Sequence, residues 1–320
     1  THGWKALCRG RVFKKSFKCL KGEINARKNQ TGLIYMIIKQ NFREDARISI
    51  GDVCHLIEVS RNGYLAWKNR DPKNVEFEKE LRAALHSITE EFPYYGYKRM
   101  TKALQREGYK VNHKRIYRLM YEEKLLCRKK KFKPITTQSD HSFKKYENLA
   151  KGFVPTGINQ LIVSDITYIA LGSEFVYLAI IMDVYSRKFI GWELSWEVDT
   201  ILVLNALNMA IAMRGERNMK GCIHHSDLGV QYASVQYVQK LEEMGMLPSM
   251  STKGNSYDNA YAESAIKTIK YNEVHMKEYA SFQDAYANIK RFIEEVYNKK
   301  QLHSGIGYVP PEEFEKAANH

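Results

Sequence analysis

Three acidic residues, far apart in the chain, have the types and spacing needed for metal-assisted chemistry on phosphate esters. Asp165 lies in the apolar run "LIVSDITYI", Asp227 follows "CIHHS", and 35 residues separate Asp227 from Glu263. Three converging carboxylates raise each other's pKa, and a buried ionised carboxylate needs a partner or a metal. All-oxygen ligands favour Mg²⁺ or Mn²⁺. Two such ions, about 3.5–4 Å apart, can hold both oxygens of a phosphodiester displacement. We predict such a two-ion site.

Two histidines next to Asp227 suggest other chemistry. Cys222, His224 and His225 could indicate zinc or a histidine-based catalytic pair. A zinc site would need further ligands, and adjacent residues of a strand point to opposite faces. We therefore expect His225, on the side of Asp227, to line the site or touch DNA, and His224 to be structural.

Each acidic residue also has an ordinary interpretation. A lone aspartate in a strand is often a turn or edge residue, and Glu263 could simply pair with Lys267 at i, i+4. Asp258 is better interpreted as a helix cap, and Asp183 as the anchor of the turn after the second strand. The joint spacing of the three acids nevertheless favours the metal site.

The elements around these acids predict a ribonuclease-H-like domain. Three strand-like runs, "QLIVSDITYIA", "EFVYLAIIMDVYSR" and "KFIGWELSWE", precede a long helix capped by Asp199. A strand, a helix, a strand and a helix follow. In this order the first and fourth strands are neighbours and the last helix packs across them. The predicted fold class is α+β or α/β: a mixed five-stranded sheet with helices, preceded by an all-helical region of the helix-turn-helix type.

Charge separates the two halves of the chain. Residues 1–150 hold 34 Lys and Arg against 16 Asp and Glu, whereas residues 151–320 hold 16 against 20. A basic half suits DNA, because neutralised phosphates release counterions; a merely soluble basic surface is the alternative. The run "GDVCHLIEVSRNGYLAWKN" fits helix-turn-helix. Residues 76–126 predict three more helices, the third a groove reader or an ordinary solvated basic face.

These patterns predict six segments. They are a basic flexible arm (1–31), a first helix-turn-helix (32–72), a second helical DNA-binding domain (73–126), a basic linker (127–155), a ribonuclease-H-like catalytic core (156–277), and a C-terminal helix and tail (278–320).

Side chains that could contact DNA lie on the helices, in the linker and around the acidic residues. Lys267 and Lys270 follow Glu263 at i+4 and i+7 and share its helix face. The full set of predicted contacts is Arg61, Lys98, Arg99, Lys114, Arg115, Arg118, Lys129, Lys130, Lys131, His225, Lys253, Asn255, Lys267 and Lys270.

Other sequence features bear on location. No run of about 18 apolar residues occurs, so no membrane span is expected. The basic N-terminus lacks the apolar stretch of a signal peptide. Five scattered cysteines without a CxxC pair suit a reducing compartment. We expect a cytoplasmic, nucleoid-associated bacterial protein.

Several motifs together resemble the transposases of the insertion-sequence-three family, which are relatives of retroviral integrases. The motifs are "VSRNGYLAW", "YYGYKRM", "VSDITYI", "IMDVYSR", "HHSDLGVQY", "KGNSYDNAYAES", "IKYNEV" and "YNKKQLHSGIGYVPPEEF", spread over about residues 32–317. The sequence departs from the family at Leu161–Ile162 and Tyr257, where tryptophan is usual, and at Leu228, where arginine is common. None of these departures removes a carboxylate.

The resemblance implies a function. Asp165, Asp227 and Glu263 would be the acidic triad of a Mg²⁺-dependent transposase, and the helical region would read the element's terminal inverted repeats in double-stranded DNA. Joining of one end to the other, a circular intermediate and insertion into target DNA would follow. Assembly on two ends implies at least a homodimer. A DNA-binding regulator with an inert fold and a hydrolase of RNA–DNA hybrids remain alternatives.

Overall fold

The computed structural model describes residues 31–41, 49–56, 59–68, 72–126, 144–252 and 259–318. The chain divides into two compact units, Thr1–Ala83 and Ala84–His320. Several predicted positions lie outside the described residues: Lys129, Lys130, Lys131, Lys253, Asn255 and Asp258. No helix in the described ranges is both long and apolar enough to cross a membrane.

The first unit holds three short helices around an aromatic core. They are α1 (Thr31–Asn41), α2 (Ile50–Leu56) and α3 (Arg61–Lys68). Ile38, Val53 and Tyr64 are buried together. Ser60 begins α3, and its hydroxyl accepts the Gly63 N–H at 3.2 Å, as expected of a helix cap. The predicted arrangement of helix, short connection and helix is therefore present.

Three further helices follow: α4 (Pro72–Glu91), which crosses the boundary between the units, α5 (Tyr97–Arg106) and α6 (His113–Glu122). The predicted cap of α6, Asn112, accepts the Arg115 N–H at 2.9 Å. Its predicted apolar stripe is buried, with Ile116 and Leu119 fully enclosed. Three helices are therefore present where the sequence predicted them.

A five-stranded sheet forms the centre of the second unit. The strands are β1 (Leu161–Leu171), β2 (Glu174–Asp183), β3 (Phe189–Ser195), β4 (Ile223–Ser226) and β5 (Leu247–Met250). The order is β3-β2-β1-β4-β5. β1 is antiparallel to β2 and parallel to β4, and β4 is parallel to β5. The predicted neighbours, the first and fourth strands, are confirmed.

Helices cover both faces of the sheet. Their bounds are α7 (Thr200–Arg214), α8 (Glu216–Met219), α9 (Val235–Glu243), α10 (Ala260–Asn272), α11 (Phe282–Arg291) and α12 (Pro311–Ala318). Short 3₁₀ turns occupy Val274–Met276 and Ser304–Ile306. The run after residue 281, predicted as one helix, instead continues from α11 into a π-helical stretch, Phe292–Tyr297.

Alternating residues of β1 supply two apolar cores. Leu161 and Val163 pack on the face covered by α10 and α11, whereas Ile162 packs on the face covered by α7 and α9. Period-two alternation explains this division. At Gly191 in β3 an added Cβ would lie 2.1 Å from the Ala206 carbonyl oxygen. Only glycine therefore permits α7 to approach the sheet this closely.

The helical segment after residue 84 packs against the C-terminal part of the same unit. The Tyr95 hydroxyl accepts the Leu302 N–H at 3.0 Å, and the rings of Tyr94 and Phe292 lie 6.4 Å apart. Arg106 pairs with Glu313 at 2.6 Å. These contacts join residues about 200 positions apart in the sequence, so this segment and the sheet belong to one compact unit.

Candidate active site

Asp165 lies in the middle of β1, opposite Ile180 of β2. Its Oδ1 accepts the N–H of Ile166 at 2.8 Å. Burial, followed by the negative charges of Asp227 and Glu263, raises the pKa of Asp165 well above its usual range, although the Ile166 bond and Lys270 oppose this. Asp227 and Glu263 therefore both lie within electrostatic reach of Asp165.

Strand pairing explains how Asp227 reaches Asp165. Val163 of β1 is paired with His225 of β4 in a parallel register. Asp165 and Asp227 each lie two residues further along these neighbouring strands, and residues two apart share a face. The Oδ1 atom of Asp227 accepts the Gly229 N–H at 3.0 Å, which fixes the turn that follows β4.

Glu263 comes from the first turn of α10, whose Ala262 and Ile266 are buried in the core beside Val163. Its Oε2 accepts a hydrogen bond from Lys267 at 3.2 Å. This is the i, i+4 pairing that the sequence offered as the ordinary interpretation. The pair is solvent-exposed, with 66% and 38% of the two side chains accessible. Such pairs contribute only a few tenths of a kcal/mol, about 0.3–0.5, so this pairing is easily exchanged for another.

The donor chemistry of the three acids fits a hard divalent cation. All their ligand atoms are carboxylate oxygens, and the pKa of Asp165 is raised by burial first and then by Asp227 and Glu263, despite the nearby Lys270. Within the described residues, however, no group of three His, Cys, Asp or Glu side chains is arranged to hold a metal ion as placed. One oxygen each of Asp227 and Glu263 is bonded to protein instead. A cation at Glu263 would therefore compete with Lys267 for the Oε2 atom.

Lys270, one helix turn beyond Lys267, faces the acidic site. Its Nζ lies 4.2 Å from the centroid of the Tyr168 ring. Burial lowers the pKa of Lys270, and the charge of Asp165 opposes that effect. Lys267 is exposed and Lys270 is half-buried. Two cations thus line the helix face that carries Glu263, as the spacing predicted.

Sequence reasoning missed a set of buried polar groups beneath Asp165. The Tyr232 hydroxyl and the Ser164 Oγ are both buried there. The pKa of Tyr232 is raised by burial first and then by Tyr237, Asp165 and Asp227, whereas a hydrogen bond with the Ser164 side chain opposes this. Tyr232 therefore lies close enough to the acids to be influenced by their charge.

Asn259 joins the helix of Glu263 to the strand of Asp165. Its Nδ2 donates to the Ser164 carbonyl oxygen at 3.2 Å, and its Oδ1 is buried without a partner in the described part of the chain. Asn259 precedes Glu263 by four residues. That spacing, which places both on one helix face, was the sequence signal available for finding it.

The surroundings of His225 do not support its predicted contact with DNA. His225 is fully buried, and its two ring nitrogens lie 2.9 Å and 3.2 Å from the hydroxyls of Ser249 and Ser251. Alternation gave the correct face of β4, but β5 pairs alongside and the ring turns towards that strand's serines. His225 therefore holds β4 and β5 together.

His224 and Cys222 are structural as well. The Nε2 of His224 lies 2.8 Å from the Tyr237 hydroxyl. Burial, then His225, lowers the pKa of His224 to about 3, so the ring is neutral at physiological pH. Burial raises the pKa of the Cys222 thiol to about 12. The Tyr237 hydroxyl faces the Nε2 of His224, and no further metal-ligating side chains are grouped with Cys222 and His224 within the described residues.

The remaining predicted DNA contacts differ in exposure. Arg61, Lys98, Lys114 and Arg118 are exposed, whereas Arg99 and Arg115 are half-buried. Arg118 also lies 3.6 Å from Glu122. Their contact with DNA stays a prediction.

Comparison with known protein families agrees with this arrangement. Residues 155–256 match a model described as an integrase core domain, and residues 244–311 match a second integrase core domain model. Residues 76–133 match an HTH-like domain. The matched ranges cover β1, β4 and α10, on which the three acids lie.

Known proteins resemble the chain over most of its length. An uncharacterized 31 kDa protein of insertion element IS600 from Shigella sonnei is 35% identical over 82% of this chain and 97% of its own length. The transposase InsF of insertion sequence IS3A from Escherichia coli is 31% identical over 85% of this chain and 96% of its own length. A simian T-cell lymphotropic virus intasome chain has a TM-score of 0.42 at 14% identity, covering 73% of this chain and 74% of that chain. The chain belongs to the IS3 family of insertion-sequence transposases.

Proposed function

We propose that this chain catalyses metal-dependent cleavage and joining of DNA strands at the ends of an insertion sequence, with Asp165, Asp227 and Glu263 as its catalytic residues. The observation that carries the proposal is the crowding of negative charge at Asp165, whose pKa is raised by burial, Asp227 and Glu263. Adjacent strands and the helix packed on them supply these carboxylates. Uncompensated carboxylates at one place are typical of sites that bind divalent cations.

The three acids would share two Mg²⁺ or Mn²⁺ ions. When bound, the ions supply Lewis-acid stabilisation of the attacking and leaving oxygens. Asp165 and Asp227 would hold both positions from the sheet, and Glu263 would complete one of them from α10. Lys267, released from Glu263, and Lys270 would then neutralise phosphate oxygens of the bound strand.

The reaction would proceed in two displacements at phosphorus. Water attacks the phosphodiester at the element end, the P–O bond to the 3′ oxygen breaks, and a free 3′-OH remains. That 3′-OH then attacks a phosphodiester of another strand and forms the new P–O bond as the second 3′ oxygen leaves. Neither step requires a serine or tyrosine nucleophile, because no covalent enzyme intermediate forms.

The helical half would recognise the terminal inverted repeats. Exposed basic residues on three of its helices could contact DNA backbone or bases: Arg61 on α3, Lys98 on α5, and Lys114 and Arg118 on α6. Two ends must be brought together, so at least a dimer would act. End-to-end joining, a circular intermediate and insertion into target DNA would complete the cycle in the bacterial cytoplasm.

A labelled-end assay tests the proposal. Selection of bound DNA from a random pool would identify the element end, and the same end with Mg²⁺ would report joining. Asp165→Asn should abolish joining while DNA affinity stays near that of the wild type. Asp199→Asn is a matched control, because asparagine caps a helix about as well as aspartate. Joining retained by Asp165→Asn would refute the assignment.

The same assay separates the alternatives. A DNA-binding regulator would bind the selected end and leave it intact with any divalent cation. A hydrolase of hybrids would cut RNA–DNA duplexes faster than the selected DNA end. Mg²⁺-dependent joining of DNA by the wild type contradicts both.

A further inference from the structure

Two half-buried arginines of the second unit, Arg99 and Arg187, have no carboxylate partner among the described residues. Arg99 comes from α5, and Arg187 from the turn between β2 and β3. The guanidinium carbon of Arg187 lies 4.3 Å from the Tyr261 ring centroid, and that of Arg99 lies 6.0 Å from the Tyr95 ring centroid. Neither arginine forms an ion pair with any residue that the structure describes.

Nearby basic residues of the same unit do have carboxylate partners. Arg106 pairs with Glu313 at 2.6 Å, and Lys188, the residue after Arg187, pairs with Glu315 at 3.3 Å. Acidic side chains are therefore available in this part of the molecule, yet none is directed at Arg99 or Arg187. No carboxylate of the described residues neutralises the positive charge of Arg99 or Arg187.

Both arginines flank the loop that contains His303. Their charges, after burial, lower the pKa of His303 to about 3, which places both guanidinium groups within electrostatic reach of that ring. Gly305 of the same loop lies against Arg187, since a Cβ built there would be 3.7 Å from the Arg187 Nε. Lys102, on α5 three residues after Arg99, lies 5.9 Å from the ring of Tyr308. Three cations thus surround one loop.

The backbone of Arg187 gives an independent indication. Its φ is +64°, a left-handed backbone conformation that residues other than glycine and asparagine rarely adopt. The turn is closed by the Arg187 N–H, which donates to the Asp183 carbonyl oxygen at 2.9 Å. Glycine would satisfy this turn without strain. Strained residues concentrate at functional sites. The presence of arginine instead of glycine in this turn therefore indicates a role for its side chain.

We propose that Arg99 and Arg187, around the loop 303–308, form a binding site for DNA backbone phosphates beside the active-site helix α10. Guanidinium groups bind phosphate oxygens in a bidentate manner. Tyr261, which lies under Arg187, precedes Glu263 by two residues of α10. A strand held here runs along the helix that carries the third acid. The site combines the HTH-like segment, through Arg99, with the integrase core, through Arg187; its ligand rests on the proposed function.

Salt-dependent binding of the full chain to a random-sequence DNA duplex tests this site. Arg187→Gly relieves the left-handed backbone, so the variant should unfold at the same or a higher temperature than the wild type. Its DNA affinity should nevertheless fall about tenfold at low salt. The slope of log K against log salt should decrease by about 0.9, the value for one lost phosphate contact. Arg99→Ala should act in the same direction.

Two controls make the result specific. Lys124 also has a left-handed backbone, with a φ of +60°, so Lys124→Gly shows the effect on stability of relieving such strain. Arg217→Ala removes one exposed charge from α8 and should leave the salt slope unchanged. A slope and an affinity that are the same in Arg187→Gly, Arg99→Ala and wild type would overturn the site.

The outcome can be separated from the proposed function. If the wild type joins labelled element ends while both arginine variants bind and join as the wild type does, the phosphate site is wrong and the function stands. If both variants lose affinity and slope while the wild type joins no strands, the phosphate site stands and the proposed function fails. If inorganic phosphate stabilises only the wild type and the DNA slope does not change, the site takes free anions and the DNA assignment is overturned.

Discussion

Asp165 and Asp183 lie on two paired strands and differ in how the protein treats their charge. Asp165 accepts a backbone hydrogen bond from Ile166 at 2.8 Å and faces two other acids. Asp183 is fully buried at the end of β2, and its oxygens accept the N–H groups of Asn159 at 2.7 Å and Ser186 at 2.9 Å. Burial raises the pKa of both carboxyls.

The surroundings of Asp183 show what a structural buried carboxylate needs. Arg214 lies 3.7 Å from it and also pairs with Glu315 of α12. Burial alone would raise the pKa of Glu315, but the bonds and charge of Arg214, with Ser186 and Lys188, hold it below its usual value. Asp183 and Glu315 therefore each have hydrogen-bond donors and a cation nearby. Other carboxylates lie close to Asp165 instead. The fold therefore stabilises the carboxylates around Arg214 by itself, whereas those around Asp165 need an added cation.

The largest expected change in stability comes from removing Arg214. Arg214→Met would leave Asp183 and Glu315 buried without a guanidinium, and breaking a buried pair on one side costs about 3–5 kcal/mol. Unfolding in urea measures the loss. Arg106→Met, which breaks the exposed pair with Glu313, should cost less than about 1 kcal/mol. Equal losses of stability in the two variants would contradict the difference between the buried ion pairs of Arg214 and the exposed pair of Arg106.

Asp165→Asn should change stability in the opposite direction and make the protein more stable. Because the folded-state pKa of Asp165 is raised, the wild type loses stability as pH rises from the ordinary carboxyl range through that raised value. The variant lacks this loss and should be more stable at pH 7 with divalent cations chelated, by about 2–4 °C in Tm for each kcal/mol of relieved repulsion. Mn²⁺ should raise the Tm of the wild type alone. A lower Tm for the variant in chelator would refute the charge argument.

Tyr232→Phe removes a buried hydroxyl whose hydrogen bond is with the Ser164 side chain. Since one bond between neutral groups is lost, the free energy of unfolding should fall by only about 1 kcal/mol. If the hydroxyl supports the acids during catalysis, strand joining should fall about 10–100-fold. A destabilisation well above about 1 kcal/mol in urea unfolding would contradict this small structural role.

The smallest effect is expected at the surface. Lys267→Met breaks the exposed pair with Glu263 and should change the free energy of unfolding by less than about 0.5 kcal/mol. Metal affinity should rise slightly, because Glu263 loses a competing partner. A loss above about 1 kcal/mol, more than an exposed pair contributes, would make the pair structural and weaken the case for Glu263 as a ligand.

Features set by local hydrogen bonds and periodicity could be predicted from the sequence. Asp199 caps α7 by accepting the Leu202 N–H at 2.9 Å, and Asp183 anchors its turn. The apolar run "LIVSDITYI" placed Asp165 in a strand. These signals lie within a few residues of the feature that they predict.

Other features depend on what lies across the fold. The sequence pattern put His225 on the correct face, but burial beside Ser249 was decided by β5. The π-helical stretch after Arg291 keeps an apolar face much like that of an α-helix, so its periodicity was no guide. Arg187 ends the motif "IMDVYSR", but the motif did not predict its role, because that role depends on a backbone angle and on Tyr261, 74 residues away.

The most direct test of the central claim measures whether the three acids act as one unit. Strand-joining rates with Mg²⁺ should be compared for Asp165→Asn, Asp227→Asn, Glu263→Gln and the triple variant, with DNA affinity measured in parallel. Each single substitution is predicted to lose about as much rate as the triple, roughly a thousandfold or more, because residues of one catalytic unit are not additive. Losses that add up across the single variants, or joining retained by Glu263→Gln, would contradict a shared site.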